Sequence, residues 1–115
     1  MGFSEFEIKR CERELEKFLS EHRPPAHIRN EVDLCYKIVD QSAEIYEIRP
    51  HWKDSSRKIE TSIAKATYVK TQKTWKVFWQ KRDSKWHGYD PEPEVKTIED
   101  FLTLVGADKH ECFFG

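Results

Sequence analysis

The most constraining feature of this chain is an alternation that works in only one register. Val32, Leu34, Tyr36 and Ile38 point one way along an extended segment, and Asp33, Cys35 and Lys37 point the other. A second extended run follows at about 43–49. With a two-residue turn at Asp40-Gln41, Ile38 faces Ala43 and Tyr36 faces Ile45, so the apolar residues share one side of the pair. A slip of one residue would put half of them in water. The segment therefore reads as an antiparallel hairpin with one buried face, and Pro50 ends it because it cannot donate to a ladder.

Around this hairpin the sequence is punctuated clearly. Ser4 with Glu7 makes a capping box, and Ile8, Cys11, Leu15, Phe18 and Leu19 recur at helical spacing. That helix should stop near His22, because Pro24 and Pro25 disfavour helix before them. Cys11 lies on its apolar stripe and reads as a small core residue. Residues 53–62 are polar and aperiodic, which predicts a loop, long for a domain of this size and so a place to look for function. Residues 63–71 and 74–81 predict a second hairpin with a turn at Gln72-Lys73, and 85–89 a third run after a turn at Arg82-Asp83. Pro91 and Pro93 then break regular structure. Thr97 can cap a last helix through Asp100, with Ile98, Phe101, Leu102 and Val105 inward and Gly106 as the stop. The terminal Phe113-Phe114 pair is expected to tuck into the domain's own surface.

The expected fold is α+β: two layers, an antiparallel five-stranded sheet with N-terminal and C-terminal helices, in the order α-β-β-β-β-β-α. At 115 residues this is one domain, 1–115. Aromatics at 13% argue against disorder, and no apolar run approaches membrane-spanning length. The N-terminus runs directly into charged residues, unlike a signal peptide. Three scattered cysteines, Cys11, Cys35 and Cys112, with no Cys-x-x-Cys, suggest reduced thiols and a cytoplasmic location. A zinc reading of His110 and Cys112 lacks the paired spacings such sites use.

The net charge of −1 conceals three blocks: −4 over residues 1–48, +8 over 49–87 and −5 over 88–115. A basic middle between acidic ends suits either internal complementarity or a polyanion partner. In the expected pairing, Ala64, Ala66, Tyr68, Trp75, Val77, Trp79 and Trp86 form the core face. The opposite face carries Lys65, Lys76, Phe78, Gln80, Lys85, His87 and Tyr89. Lysines around exposed rings are how open sheets hold single-stranded nucleic acid: ammonium groups meet phosphates and rings stack on bases. These residues are the candidate binding site. A protein partner held through the apolar C-terminal tail, or a homodimer that covers the basic face, is the other expectation, and no membrane association is expected.

Catalytic readings are thinner. Asp33 followed by Glu47-Ile48-Arg49, with Glu14, faintly resembles the Asp and Glu-x-Lys set of metal-dependent nucleases. Arg49 stands where a lysine is expected and cannot act as a base. The register also separates Asp33 from Glu47. His27, His51 and His87 offer acid–base groups without a nucleophile context, and four glycines form no phosphate loop. No cofactor motif is present, and the chain reads as a binding domain rather than an enzyme.

Several strings are distinctive as words: Arg23-Pro24-Pro25-Ala26-His27-Ile28-Arg29, Glu47-Ile48-Arg49-Pro50-His51-Trp52, Trp75-Lys76-Val77-Phe78-Trp79, Lys85-Trp86-His87-Gly88-Tyr89 and Glu111-Cys112-Phe113-Phe114-Gly115. Over nearly the whole chain they resemble a family of small bacterial proteins catalogued as a domain of unknown function, of the 3024 type. The resemblance implies a bacterial cytosolic protein and brings no activity, cofactor or catalytic residue with it.

Overall fold

Helix α1, Glu5–His22, starts where its cap predicts. The Ser4 hydroxyl accepts the Glu7 N–H at 3.2 Å and the Glu7 carboxylate accepts the Ser4 N–H at 3.1 Å. Cys11, Leu15 and Phe18 are buried along one stripe. The helix ends at His22, where Arg23 turns extended ahead of the two prolines and donates its N–H to the Leu19 carbonyl. These details come from a computed structural model, which describes residues 4–54, 56–80, 85–108 and 113.

Helix α2, Ile98–Ala107, is capped by Thr97, whose hydroxyl accepts the Asp100 N–H at 3.0 Å. Gly106 does not stop it. The helix continues to Ala107, and Asp108 caps it in the left-handed region at φ 42°. Gly106 instead serves a close approach between helices: a Cβ there would lie 3.1 Å from the His22 imidazole.

The strands are β1 Asp33–Val39, β2 Ser42–Pro50, β3 Lys58–Val69, β4 Thr74–Gln80, β5 Trp86–Gly88 and β6 Glu94–Val95. β1 to β5 lie side by side in sequence order, each antiparallel to the next. The two-residue β6 adds to β4 on the same side as β5. Val77 joins these pieces, since its carbonyl accepts from Tyr89 and its N–H donates to Pro93. Residues 90–92 loop out between them. Pro91 lies in that loop and Pro93 immediately before β6 on the sheet edge, where a missing donor is tolerated.

The first hairpin has the expected register: Ile38 opposite Ala43, Tyr36 opposite Ile45, with Asp40 at φ 53° in the turn. Three other expectations are corrected. Residues 58–62 are strand, so the predicted loop shrinks to about 51–57 and β2 and β3 form one long hairpin. This end carries no buried residue on β3 from Lys58 to Ser62, and a register shift at Ile45/Tyr46 with Ile63 as the extra residue hides the period. The second turn is wider than two residues: Val69 faces Thr74, which shifts β3 against β4 by two and keeps every face. The pairing of β4 with β5 is off by one, Trp79 facing His87 and Gln80 facing Trp86, and that exchanges the faces of β5. The turn expected at Arg82-Asp83 lies outside the described residues.

The core lies between the helices and one sheet face. Ala43, Ala64 and Ala66 on the sheet and Leu15, Phe101 and Val105 on the helices are all fully buried members of one core. Each large side chain contributes about 1.5–3 kcal/mol by leaving water. Trp75 is buried and Trp79 packs at the core's margin, as expected, but Trp86 is not part of it. The C-terminal expectation holds for Phe113, which is buried with its ring 4.9 Å from that of Tyr89. Phe114 is outside the described residues.

Candidate nucleic-acid interface

Alternation along β3 and β4 sends Lys65, Thr67 and Val69, and Lys76, Phe78 and Gln80, away from the helices. None of these six side chains is buried. Gln80 is paired with Trp86 and Phe78 with Gly88, so β5 continues this open face with Trp86. Lys65 and Phe78 are direct cross-strand partners. The Lys65 ammonium lies 5.1 Å from the Phe78 ring centre and 4.8 Å from that of Trp86. One cation is thus held against two half-exposed rings, each contact contributing about 0.5–1 kcal/mol at such a site. Lys76, opposite Thr67, is exposed at the side of this cluster.

Further across the sheet the charge is mixed. Glu44 is the cross-strand partner of both Lys37 and Lys65, which makes an alternating row over three strands. The Lys37 ammonium lies 5.4 Å from the Tyr46 ring centre. Basic excess is therefore concentrated over β3 and β4 rather than spread over the whole face.

Of the seven residues predicted from the sequence, Lys65, Lys76, Phe78 and Gln80 come together on this face. Lys85 is exposed immediately before β5. His87 and Tyr89 do not belong to it. His87 faces Trp79 on the helix side, and Tyr89 is buried at 2% exposure against Phe113. The cause is the one-residue shift of β5, which buries the Tyr89 ring and turns Trp86 outward. Trp86 is the member that sequence reasoning missed. Lys85-Trp86-His87-Gly88-Tyr89 carries a large ring at both parities, so periodicity alone does not choose between them.

The nuclease-like carboxylates are engaged elsewhere. Both Asp33 oxygens accept from Arg23, each at 2.6 Å, and that guanidinium holds the Asp33 carboxyl below its ordinary value. Glu47 accepts from Arg49 at 2.7 Å. Leu34 faces Glu47 while Asp33 faces Ile48, so the two acids point to opposite sides of the sheet. Among the described residues no three His, Cys, Asp or Glu side chains cluster as metal ligands. His27, His51 and His87 sit on the α1–β1 connection, the β2–β3 tip and β5. Burial pushes the Cys11 thiol up to about 11, in keeping with a core role, and also raises Cys35. The His110 and Cys112 pair lies outside the described residues.

No curated protein and no solved structure matches this chain. The family described as Domain of unknown function (DUF3024) matches residues 3–115, and the chain belongs to that family.

Proposed function

We propose that this is a non-enzymatic binding domain that holds single-stranded nucleic acid on the open face of β3, β4 and β5. The observation that carries the reading is the Lys65 ammonium set against the Phe78 and Trp86 rings on a sheet face that the helices leave uncovered. Every base has a π-face, so such rings accept bases with little sequence preference, while Lys65, Lys76 and Lys85 neutralise phosphates. The mixed charge towards β1 and β2 limits the track to the β3–β5 side. The reading assumes a bacterial cytoplasmic setting; no described helix is long and apolar enough to cross a membrane.

Fluorescence anisotropy of a labelled single-stranded oligonucleotide, titrated at several salt concentrations, tests it. Three phosphate contacts give a slope of log K against log salt of about −2. Replacing Lys65, Lys76 and Lys85 together by Ala should flatten that slope and weaken binding to all sequences alike. No binding at low salt, or binding indifferent to salt, overturns the proposal.

A further inference from the structure

The β2–β3 hairpin ends in a turn built to present a tryptophan. Trp52 is 79% exposed, and the chain around it is closely bonded. The His51 N–H donates to the Arg57 carbonyl at 2.9 Å, and His51 Nδ1 accepts the N–H groups of Lys53 and Asp54 at 3.1 and 3.3 Å. The Asp54 carboxylate accepts from the Ser56 N–H and hydroxyl. The His51 ring stacks beside Trp52 with centroids 5.6 Å apart, and the Lys53 ammonium lies 4.9 Å from the Trp52 ring centre. Arg49, Lys53, Arg57 and Lys58, all exposed, lie in this end of the hairpin, where Arg49 is paired with Glu47; with Asp54 they give residues 49–58 a net charge of +3.

An exposed indole beside a network of hydrogen bonds from His51, Asp54 and Arg57 is poised for a ligand, because its surroundings are already bonded before binding. Its setting specifies the ligand's chemistry: a flat π-surface with a negative charge close beside it, where Lys53 lies against the ring, and further negative charge along the same short stretch. A membrane surface fits less well, since the turn offers one large ring rather than an apolar face of several residues. We propose that the hairpin tip is a second contact for single-stranded nucleic acid, with Trp52 stacked on a base and Lys53, Arg57 and Lys58 on the flanking phosphates. It rests on the sheet-face reading for the path of the strand. Along β3, Lys58 and Lys65 are separated by about 23 Å, so a strand on the sheet face must be long to reach the tip as well.

The test compares Trp52→Ala and Trp86→Ala, each against the unmodified chain, with single-stranded oligonucleotides of about four and about fifteen nucleotides, within the range that such domains cover. Loss of one stacked base weakens binding at least roughly five-fold. The expected result is that Trp52→Ala weakens binding of the long oligonucleotide by that factor, that Trp52→Phe retains most of it, and that the thermal midpoint stays put because the ring is exposed. Unchanged affinity of Trp52→Ala for the long oligonucleotide, with Trp86→Ala still weakened, overturns the tip and spares the sheet face. The reverse pattern overturns the sheet face and spares the tip. Tighter Trp52-dependent binding to a duplex of the same sequence, or to phosphatidylserine–phosphatidylcholine vesicles, overturns the ligand class assigned to the tip.

Discussion

Replacing Asp33 by Ala removes the clasp between the end of α1 and the start of β1. The clasp is two charge-assisted hydrogen bonds at 2.6 Å from Arg23, plus an Asp33 oxygen that accepts the Leu34 N–H at 2.8 Å. A hydrogen bond to a charged group contributes about 1.5–3 kcal/mol when shielded. Here the Asp33 side chain is only 15% exposed but that of Arg23 is 40% exposed. Solvent therefore moves the pair towards the surface limit, and about 1–2 kcal/mol is the reasonable net loss. For a domain of this size that lowers the thermal midpoint by roughly 4–8 °C. The pH dependence has a definite sign. Arg23 lowers the folded-state carboxyl below its ordinary value, so the contribution is complete above the unfolded pKa and disappears as pH falls through the depressed folded value. Urea denaturation near pH 7 and again at a pH below the ordinary carboxylate range should show a clear deficit for Asp33→Ala at the first and a smaller one at the second, shrinking further as pH falls. An equal deficit at both would refute the electrostatic account. Little deficit at either would mean that the clasp is not formed in solution.

Two other consequences follow from packing. Phe113→Ala should destabilise the domain by about 1.5–3 kcal/mol, because it exposes the pocket against Tyr89; an unchanged urea midpoint would instead leave the tail free for a partner. Cys11, 3% exposed with its thiol pushed up to about 11, should resist thiol reagents at neutral pH until denaturant is added, and rapid labelling of Cys11 in the folded chain, read by peptide mass, would place it outside the core.

The parts of the fold that were legible in the sequence are those where two physical requirements agree on one answer. The first hairpin was readable to the residue, because only one register puts Leu34, Tyr36, Ile38, Ala43 and Ile45 on a common face. Ser4 and Thr97 marked the helix starts because a hydroxyl three residues before a free N–H has an evident partner. The hairpin beyond the helices was illegible for the opposite reason. From Lys58 to Ser62 nothing covers either face of β3 enough to bury a residue, so no alternation is imposed. The candidate site failed at one strand: Trp86 and Tyr89 compete for the core with opposite parity, and the decision falls to a distant residue, Phe113, which receives the Tyr89 ring. Gly106 resembles a stop signal in the sequence, although its reason is the His22 side chain of another helix, which local sequence does not display.

The central claim is that nucleic acid lies on the uncovered face of β3, β4 and β5. Backbone amide chemical shifts followed during titration with a single-stranded oligonucleotide at low salt test it most directly. The account predicts shifts concentrated at Lys65, Lys76, Phe78 and Trp86, reversed by added salt, with the exposed faces of α1 and α2 unmoved. Shifts confined to the helices, or none at saturating oligonucleotide, would contradict it.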